Sequence, residues 1–144
     1  MSSYAQPVLA QPAAGDRSGL LRLALKLDAV ATGALAVLGL AAAPLLDSML
    51  GTPSSLLLPV GLVLLVYAAA VWLIGTRPQV SRVAAWSVVA LNLLWVVGSV
   101  AAVVSGWLPL TTLGTAFVLV QAVAVLVFAD LQFLGLRHVG PASA

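Results

Sequence analysis

The chain has 144 residues, of which 62% are hydrophobic and only 7% are charged, and its mean hydropathy is +1.17. A soluble domain has about a quarter of its residues charged, so this composition excludes a water-soluble globular fold and indicates an integral membrane protein. The absence of cysteine excludes disulfides, thiolate metal sites and iron–sulfur clusters. The only histidine, His138, lies beyond the last apolar run, so no imidazole is available inside the membrane for haem or a metal ion. We therefore expect no cofactor and no metal.

The sequence pI of about 9.7 does not indicate a nucleic-acid partner. It reflects six lysines and arginines against four acidic residues, all four of them aspartates. The basic residues flank the apolar runs and are typical of topology determinants that also contact lipid head groups: Arg17, Arg22, Lys26, Arg77, Arg82 and Arg137.

Four apolar runs predict four transmembrane helices, because each is long enough to cross a hydrocarbon core of about 30 Å. They cover about residues 20–46, 56–75, 83–104 and 113–136. The Ser-, Pro- and Ala-rich stretch Met1–Gly19 predicts a flexible cytoplasmic tail, and residues 138–144 predict a short second tail. Three connections are interpreted as short polar loops, because each contains Gly or Pro: Asp47–Ser55, Thr76–Arg82 and Ser105–Thr112.

A cleaved signal peptide is the alternative for the first run. Arg17, Arg22 and Lys26 resemble a basic leading region, and Ala41-Ala42-Ala43 resembles a cleavage site. The stretch that precedes the apolar run is long for a leader, which favours a retained first span.

The basic residues also predict orientation. All six fall on one side of a four-span arrangement, so both termini should be cytoplasmic and the protein should lie in the plasma membrane. Short connections favour an all-α, up-down-up-down bundle with the first span beside the fourth. Trp72, Trp86 and Trp107 fall at the expected interfaces, whereas Trp95 falls inside a span.

The third run contains the most informative polar pattern. Asn92, Trp95 and Ser99 share one helical face within a run of Val, Ala and Leu. Distances of about 1.5 Å per residue from the basic residues order all the polar side chains by depth. The layers are two carboxylates near the cytoplasmic side, a phenol and an amide near the midplane, and a hydroxyl and an amide farther out: Asp28 with Asp130, Tyr67 with Asn92, and Ser99 with Gln121.

Two interpretations of the acids remain open. Asp28 begins a stripe of small or polar residues that includes Thr32, which points it into the bundle. An intramembrane acid of this kind marks a proton or cation path, or a counter-ion for a ligand. Alternatively, Asp28 and Asp130 are interfacial and form salt bridges with snorkelling basic residues. For Asn92, Gln121, Tyr67 and Ser99 the alternatives are interhelical hydrogen bonds and a small polar cavity for a head group, quinone or metabolite.

Four segments of the C-terminal half form a recognisable pattern: Ala90-Leu-Asn-Leu-Leu-Trp95, Ser105-Gly-Trp107, Phe117-Val118 with Gln121-Ala-Val-Ala-Val125, and Phe128-Ala-Asp-Leu-Gln132-Phe-Leu-Gly-Leu-Arg137. With these segments the sequence resembles an uncharacterised family of small bacterial four-span integral membrane proteins, whose pattern is approximately ALNxLW, SGW, FVxxQAxAV and FAxLQxxGLR. The resemblance covers most of residues 20–137. The resemblance implies a multi-pass plasma-membrane protein, and it implies no activity or catalytic residue.

Small multidrug-resistance exporters are a second four-span family with an acid in the first span, which Asp28 superficially matches. Here the acid is Asp rather than Glu and lies near the interface. In this chain all the basic residues also fall on one side. Those exporters instead form antiparallel, dual-topology dimers, in which the basic residues are balanced between the loops of the two sides.

Two functional hypotheses follow, and an enzyme is not expected because no nucleophile–base pair, metal cluster or phosphate loop is present. The first is a non-enzymatic structural, interaction or accessory protein whose partners are membrane lipids and a second copy or another membrane protein. The second is a proton-coupled or ligand-binding carrier that uses Asp28 and Asp130 with the Asn92 and Gln121 layers. The candidate polar site thus comprises Asp28, Tyr67, Asn92, Trp95, Ser99, Gln121 and Asp130.

Overall fold

The structure is a computed structural model that describes residues 14–139, with side chains from Ser18 onward. These residues form five α-helices and no strand: α1 (Ala14–Ala41), α2 (Ala43–Leu50), α3 (Ser54–Thr76), α4 (Arg82–Ser105) and α5 (Thr112–His138). Four of them are long and apolar enough to cross a membrane. The prediction of an all-α, four-span bundle is confirmed. The predicted tails at residues 1–13 and 140–144 lie outside the described residues.

The first span differs from its prediction at both ends. Helix α1 begins at Ala14, so residues 14–19 are helical rather than part of a flexible tail. It ends at Ala41, and the separate helix α2 covers part of the predicted loop. Pro44 explains the break, because a proline inside a helix lacks the N–H donor and clashes with the preceding turn, whereas in a first turn it is tolerated. Pro44 accordingly lies in the first turn of α2.

Side chains cap the helices where the chain turns. Ser81 accepts a hydrogen bond from the Ala84 N–H at the start of α4, and Thr111 accepts one from the Gly114 N–H at the start of α5. Helix α3 is capped from a distance, because the Asp47 carboxylate of α2 accepts from the Ser54 N–H at 2.8 Å. Asp47 therefore ties α2 to the first turn of α3.

Helix α1 is the centre of the bundle. It packs along α3 on one side and along α5 on the other, α4 packs along α5, and α3 and α4 meet only over a short stretch. The prediction that the first span lies beside the fourth is confirmed by the α1–α5 contact. The buried core comprises Leu21, Leu25, Ala29, Val71, Ala85, Val88, Val89 and Leu136.

The core lies toward one end of the bundle, where glycines let helices approach closely. A Cβ on Gly135 of α5 would lie 2.9 Å from the Leu21 Cα of α1, and a Cβ on Gly75 of α3 would lie 3.2 Å from the Leu25 Cβ. We call this the basic end, because the described lysine and arginines lie here: Arg22, Lys26, Arg77, Arg82 and Arg137.

The opposite end is closed by α2, and we call it the α2 end. The Leu50 carbonyl at the end of α2 accepts a hydrogen bond from the Thr111 N–H at 3.0 Å, and the Thr111 hydroxyl donates to the Met49 carbonyl at 2.7 Å. Gly51 then turns the chain with φ of 74°, a conformation that favours glycine. This docking fixes α2 against the start of α5.

Candidate polar site

A network of hydrogen bonds joins all four long helices around Asp28. We call it the Asp28 cluster, and it comprises Asp28 and Thr32 of α1, Tyr67 of α3, Asn92 of α4 and Gln132 of α5. Asp28, Asn92 and Gln132 are buried, with relative exposures of 0%, 4% and 0%. Tyr67 and Thr32 are partly buried.

The Asp28 carboxylate accepts three hydrogen bonds from neutral side chains. Its Oδ2 accepts from the amide groups of Asn92 and Gln132, each at 2.7 Å. Its Oδ1 accepts from the Thr32 hydroxyl at 3.2 Å, one helical turn along α1. A salt bridge between Asp28 and a basic residue was one of the two interpretations of the sequence. In the structure, neutral donors from three helices take the place of that basic residue.

The outer members of the cluster complete the pairing. The Asn92 amide also donates to the Gln132 carbonyl oxygen at 3.2 Å, and the Tyr67 hydroxyl donates to the Asn92 Oδ1 at 2.8 Å. Both amide hydrogens of Asn92 and its oxygen are therefore used. Among the described residues, no buried side-chain nitrogen or oxygen lacks a partner, so the cluster is closed on itself.

The direction of the donors constrains where Asp28 can hold a proton. An amide nitrogen only donates, so with this arrangement of the amides Oδ2 must remain an acceptor for Asn92 and Gln132. The Thr32 hydroxyl can donate or accept, so the bond to Oδ1 is the one that can reverse. In this arrangement a proton on Asp28 belongs on Oδ1, facing Thr32.

A second, smaller group joins α4 to α5 farther toward the α2 end. The Trp95 indole N–H donates to the Gln121 Oε1 at 2.8 Å, and the Gln121 amide donates to the Ser99 hydroxyl at 3.0 Å. All three side chains are partly buried. We call these three residues the Gln121 group. It pairs the hydroxyl and amide layer that the sequence placed above the midplane, and it adds Trp95.

Asp130 lies outside both groups. It is exposed on α5, next to the buried Ala129, so its side chain points away from the bundle. The structure therefore separates the two acids that the sequence placed at one depth. Asp28 is internal and Asp130 is on the surface.

The basic residues divide into those that hold helix ends and those that do not. Arg22 donates to the Gly75 carbonyl at the end of α3 at 3.5 Å, and Arg82 donates to the Leu136 and Val139 carbonyls at the end of α5. A guanidinium at a helix C-terminus satisfies free carbonyls and interacts favourably with the helix dipole. These two arginines therefore brace the basic end in addition to any role in topology.

Two further cations lie over aromatic rings. Lys26 lies 6.0 Å from the centroid of Trp72, and Arg137 lies 5.6 Å from that of Phe133. Both distances are within the range of a cation–π contact. Arg77 is exposed at the end of α3, where its backbone N–H bonds to the Ile74 carbonyl.

Two members of the Asp28 cluster were not among the candidate site residues from the sequence, Gln132 and Thr32. Gln132 lies five residues before Arg137, so the rise of about 1.5 Å per residue would have placed it level with Asp28. It also lies 11 residues, or three turns, after Gln121, and thus on the same face of the helix. That spacing was the available signal.

The arrangement limits the chemistry of the site. In residues 14–139, no group of three His, Cys, Asp or Glu side chains could hold a metal ion. The Asp28 cluster offers one carboxylate surrounded by amides and hydroxyls, which can hold a proton or bind donors. The hydrogen bonds of the cluster cross-link the four long helices. The fold and the site together define a four-helix membrane bundle with a polar centre.

Comparison with known proteins adds no closer assignment. No protein-family model matches this chain, and neither a curated protein nor a solved structure matches it.

Proposed function

We propose that this chain is a non-enzymatic multi-pass protein of the plasma membrane that acts through its outer surface, on lipids and on a second copy or another membrane protein. The observation that carries this proposal is the closure of the Asp28 cluster. Asp28 and Gln132 have no exposed surface, and their polar atoms bond to neighbouring helices rather than lining a ligand site. The surface that remains for partners is apolar, as at Val66 and Val104, which are 71% and 80% exposed.

The physical argument is one of helix association. Lipid tails are as apolar as the helix faces, so hydrophobic burial does not drive helices together inside a membrane. Interhelical hydrogen bonds and close packing of small residues do so instead. The Asp28 cluster and the glycine contacts at Gly75 and Gly135 supply both, which suits a rigid membrane scaffold. The resemblance to the uncharacterised four-span family agrees with this proposal and remains a prediction.

A carrier is the second candidate, and the character of Asp28 favours it. A buried carboxylate whose partners are all neutral is unusual in a membrane, and such acids commonly mark proton or ion pathways. In this candidate Asp28 binds a proton or a cationic ligand, and the amides of Asn92 and Gln121 line the path. Asp130 would have to act from the surface.

Carboxyl labelling separates the two candidates. A carrier must expose its acid during its cycle, whereas a scaffold keeps it closed. We expect N,N′-dicyclohexylcarbodiimide, which partitions into lipid and adds to carboxylic acids, to modify the exposed Asp130 and to leave Asp28 unmodified in proteoliposomes. Peptide mass spectrometry locates the adduct, and Asp130→Asn identifies the control signal. Labelling of Asp28 would overturn the scaffold proposal and support the carrier.

We further propose that the basic end faces the cytoplasm, since lysines and arginines are enriched in cytoplasmic loops. A reporter fused after Ala144 is expected to be active in the cytoplasm, and one inserted in the Asp47–Ser55 connection is expected to be active outside. Paired phosphatase and fluorescent-protein fusions measure this in intact cells. The reverse pattern would contradict the orientation, and two fusions that are active on the same side would contradict four spans, because three spans separate the two sites.

A further inference from the structure

The seam between α3 and α4 differs from the other helix contacts. These two helices are consecutive in the chain, yet they meet only over a short stretch. The hydrogen bond from Tyr67 to Asn92 joins them at the level of the Asp28 cluster. Between that bond and the connecting loop, the seam widens at the basic end into a hollow of about 340 Å³ that is open to the molecular surface.

The lining of this cavity has two chemical halves. We call it the α3/α4 cavity, and it is lined by Leu73, Ile74, Arg77, Gln79, Ser81 and Ala84. The aliphatic residues belong to the helices, and Leu73 is 58% exposed toward the surface that lipid would cover. The polar residues belong to the turn between the helices, at the level of the head groups. The cavity thus has an apolar wall below a polar rim.

Arg77 gives the polar rim its charge. Arg22 and Arg82 donate to helix carbonyls, and Lys26 and Arg137 lie over aromatic rings. Within the part of the chain whose side chains are described, Arg77 alone among the basic residues has a side chain with neither kind of contact. The rim also lies at the start of α4, where Ser81 caps the Ala84 N–H and the helix dipole adds positive potential.

We propose that the α3/α4 cavity binds one anionic glycerophospholipid, with its phosphate at Arg77 and an acyl chain along the open α3/α4 seam. A guanidinium forms charge-assisted hydrogen bonds to phosphate oxygens, and the Gln79 and Ser81 side chains offer neutral donors beside it. The apolar wall distinguishes a lipid from a free phosphate ion, which would leave Leu73 and Ile74 without a partner. The assigned ligand is therefore a lipid that is held at one site rather than a member of the general lipid shell.

Native mass spectrometry of the full chain, released from micelles with equal amounts of phosphatidylglycerol and phosphatidylcholine, tests this assignment. The parent protein is expected to retain one phosphatidylglycerol with a preference of about fivefold, the value of one basic residue near an anionic surface. Arg77→Ala should abolish the preference. Arg137→Ala removes the same charge from the same end, outside the cavity, and should leave the preference in place.

A second pair of variants tests the cavity without changing charge. Ala84→Phe fills the lining and should also abolish the preference, whereas Ala90→Phe, on an exposed position of the same helix, should not. A preference that survives Arg77→Ala or Ala84→Phe would overturn the proposal. Retention of added inorganic phosphate in place of the lipid would also overturn it. So would the formation, in phosphatidylcholine, of a dimer that Arg77→Ala dissociates.

Discussion

Replacing Asp28 with alanine is expected to lower the free energy of unfolding by on the order of 3 kcal/mol, since each buried donor that loses its acceptor costs about 1–3 kcal/mol. Asn92 and Gln132 each donate to the same carboxylate oxygen, and both lose it in Asp28→Ala. The space left beside them is enclosed, because Asp28 has no exposed surface. Reversible unfolding in mixed micelles, followed by tryptophan fluorescence, measures the change.

Asp28→Asn is the matched control for this prediction. An asparagine can place its carbonyl oxygen where Oδ2 lies and its amide toward Thr32, whose hydroxyl can accept as well as donate. All the hydrogen bonds are kept, so the expected loss is below about 1 kcal/mol. Equal losses for the two variants would show that the negative charge, rather than the hydrogen bonding, holds the cluster together. No loss in Asp28→Ala would contradict the role of the cluster altogether.

Replacing Gly114 with alanine is expected to destabilise the protein by about 3 kcal/mol, the upper part of the range for added volume in a packed site. A Cβ at this position would lie 1.9 Å from the Leu50 carbonyl oxygen, which belongs to the backbone and cannot rotate away. The clash must displace α2 from the start of α5, and with it the hydrogen bond from the Thr111 N–H. Thermal unfolding in detergent measures the loss.

Gly98→Ala is the corresponding control, because no atom outside its own helix backbone and chain neighbours lies within 4 Å of a Cβ at that position of α4. Alanine favours a helix over glycine by about 1 kcal/mol, so this variant should be as stable as the parent protein or slightly more stable. Amide hydrogen exchange gives a second measurement for Gly114→Ala, since exchange should increase in residues 43–50 and remain unchanged at the basic end. A variant Gly114→Ala as stable as the parent would contradict the docking of α2.

The four spans could be predicted from the sequence because the length of an apolar run and the absence of charge determine them directly. The end of α1 could not be predicted in the same way. Asp47, Ser48 and Gly51 look like a loop in composition, yet Pro44 starts a new helix and the Asp47 carboxylate is used at the start of α3. A polar residue in a short connection has the same signature whether it faces water or caps a helix.

The sequence could predict the depth of each polar side chain in the membrane. It placed Tyr67 level with Asn92 and Ser99 level with Gln121, and the structure joins each of these pairs by a direct hydrogen bond. The sequence could not predict in the same way which direction each side chain faces around its helix axis, because an apolar lipid-facing surface and an apolar core have the same composition. Asp130 illustrates this limit, since it follows the buried Ala129 by one position and thereby faces outward.

The same limit explains the omission of Gln132. Its amide and that of Asn92 share one carboxylate oxygen of α1, an arrangement that depends on how α4 and α5 both face α1. The regular spacing of Gln121 and Gln132 identifies a common face of α5, but only the packed bundle shows that this face meets Asp28.

The composition of the Asp28 cluster also bears on how the protein is made. The donors to the Asp28 carboxylate lie 4, 64 and 104 residues later in the chain. At about 5–20 residues per second, a ribosome needs about 5–20 s to add those 104 residues. During this interval α1 holds an acid whose long-range partners are incomplete, and hydrocarbon disfavours it. The hydrogen bonding of the Asp28 carboxylate is therefore completed only after Gln132 of α5 has been added, and a chain that stops before Gln132 lacks one of the two donors to Oδ2.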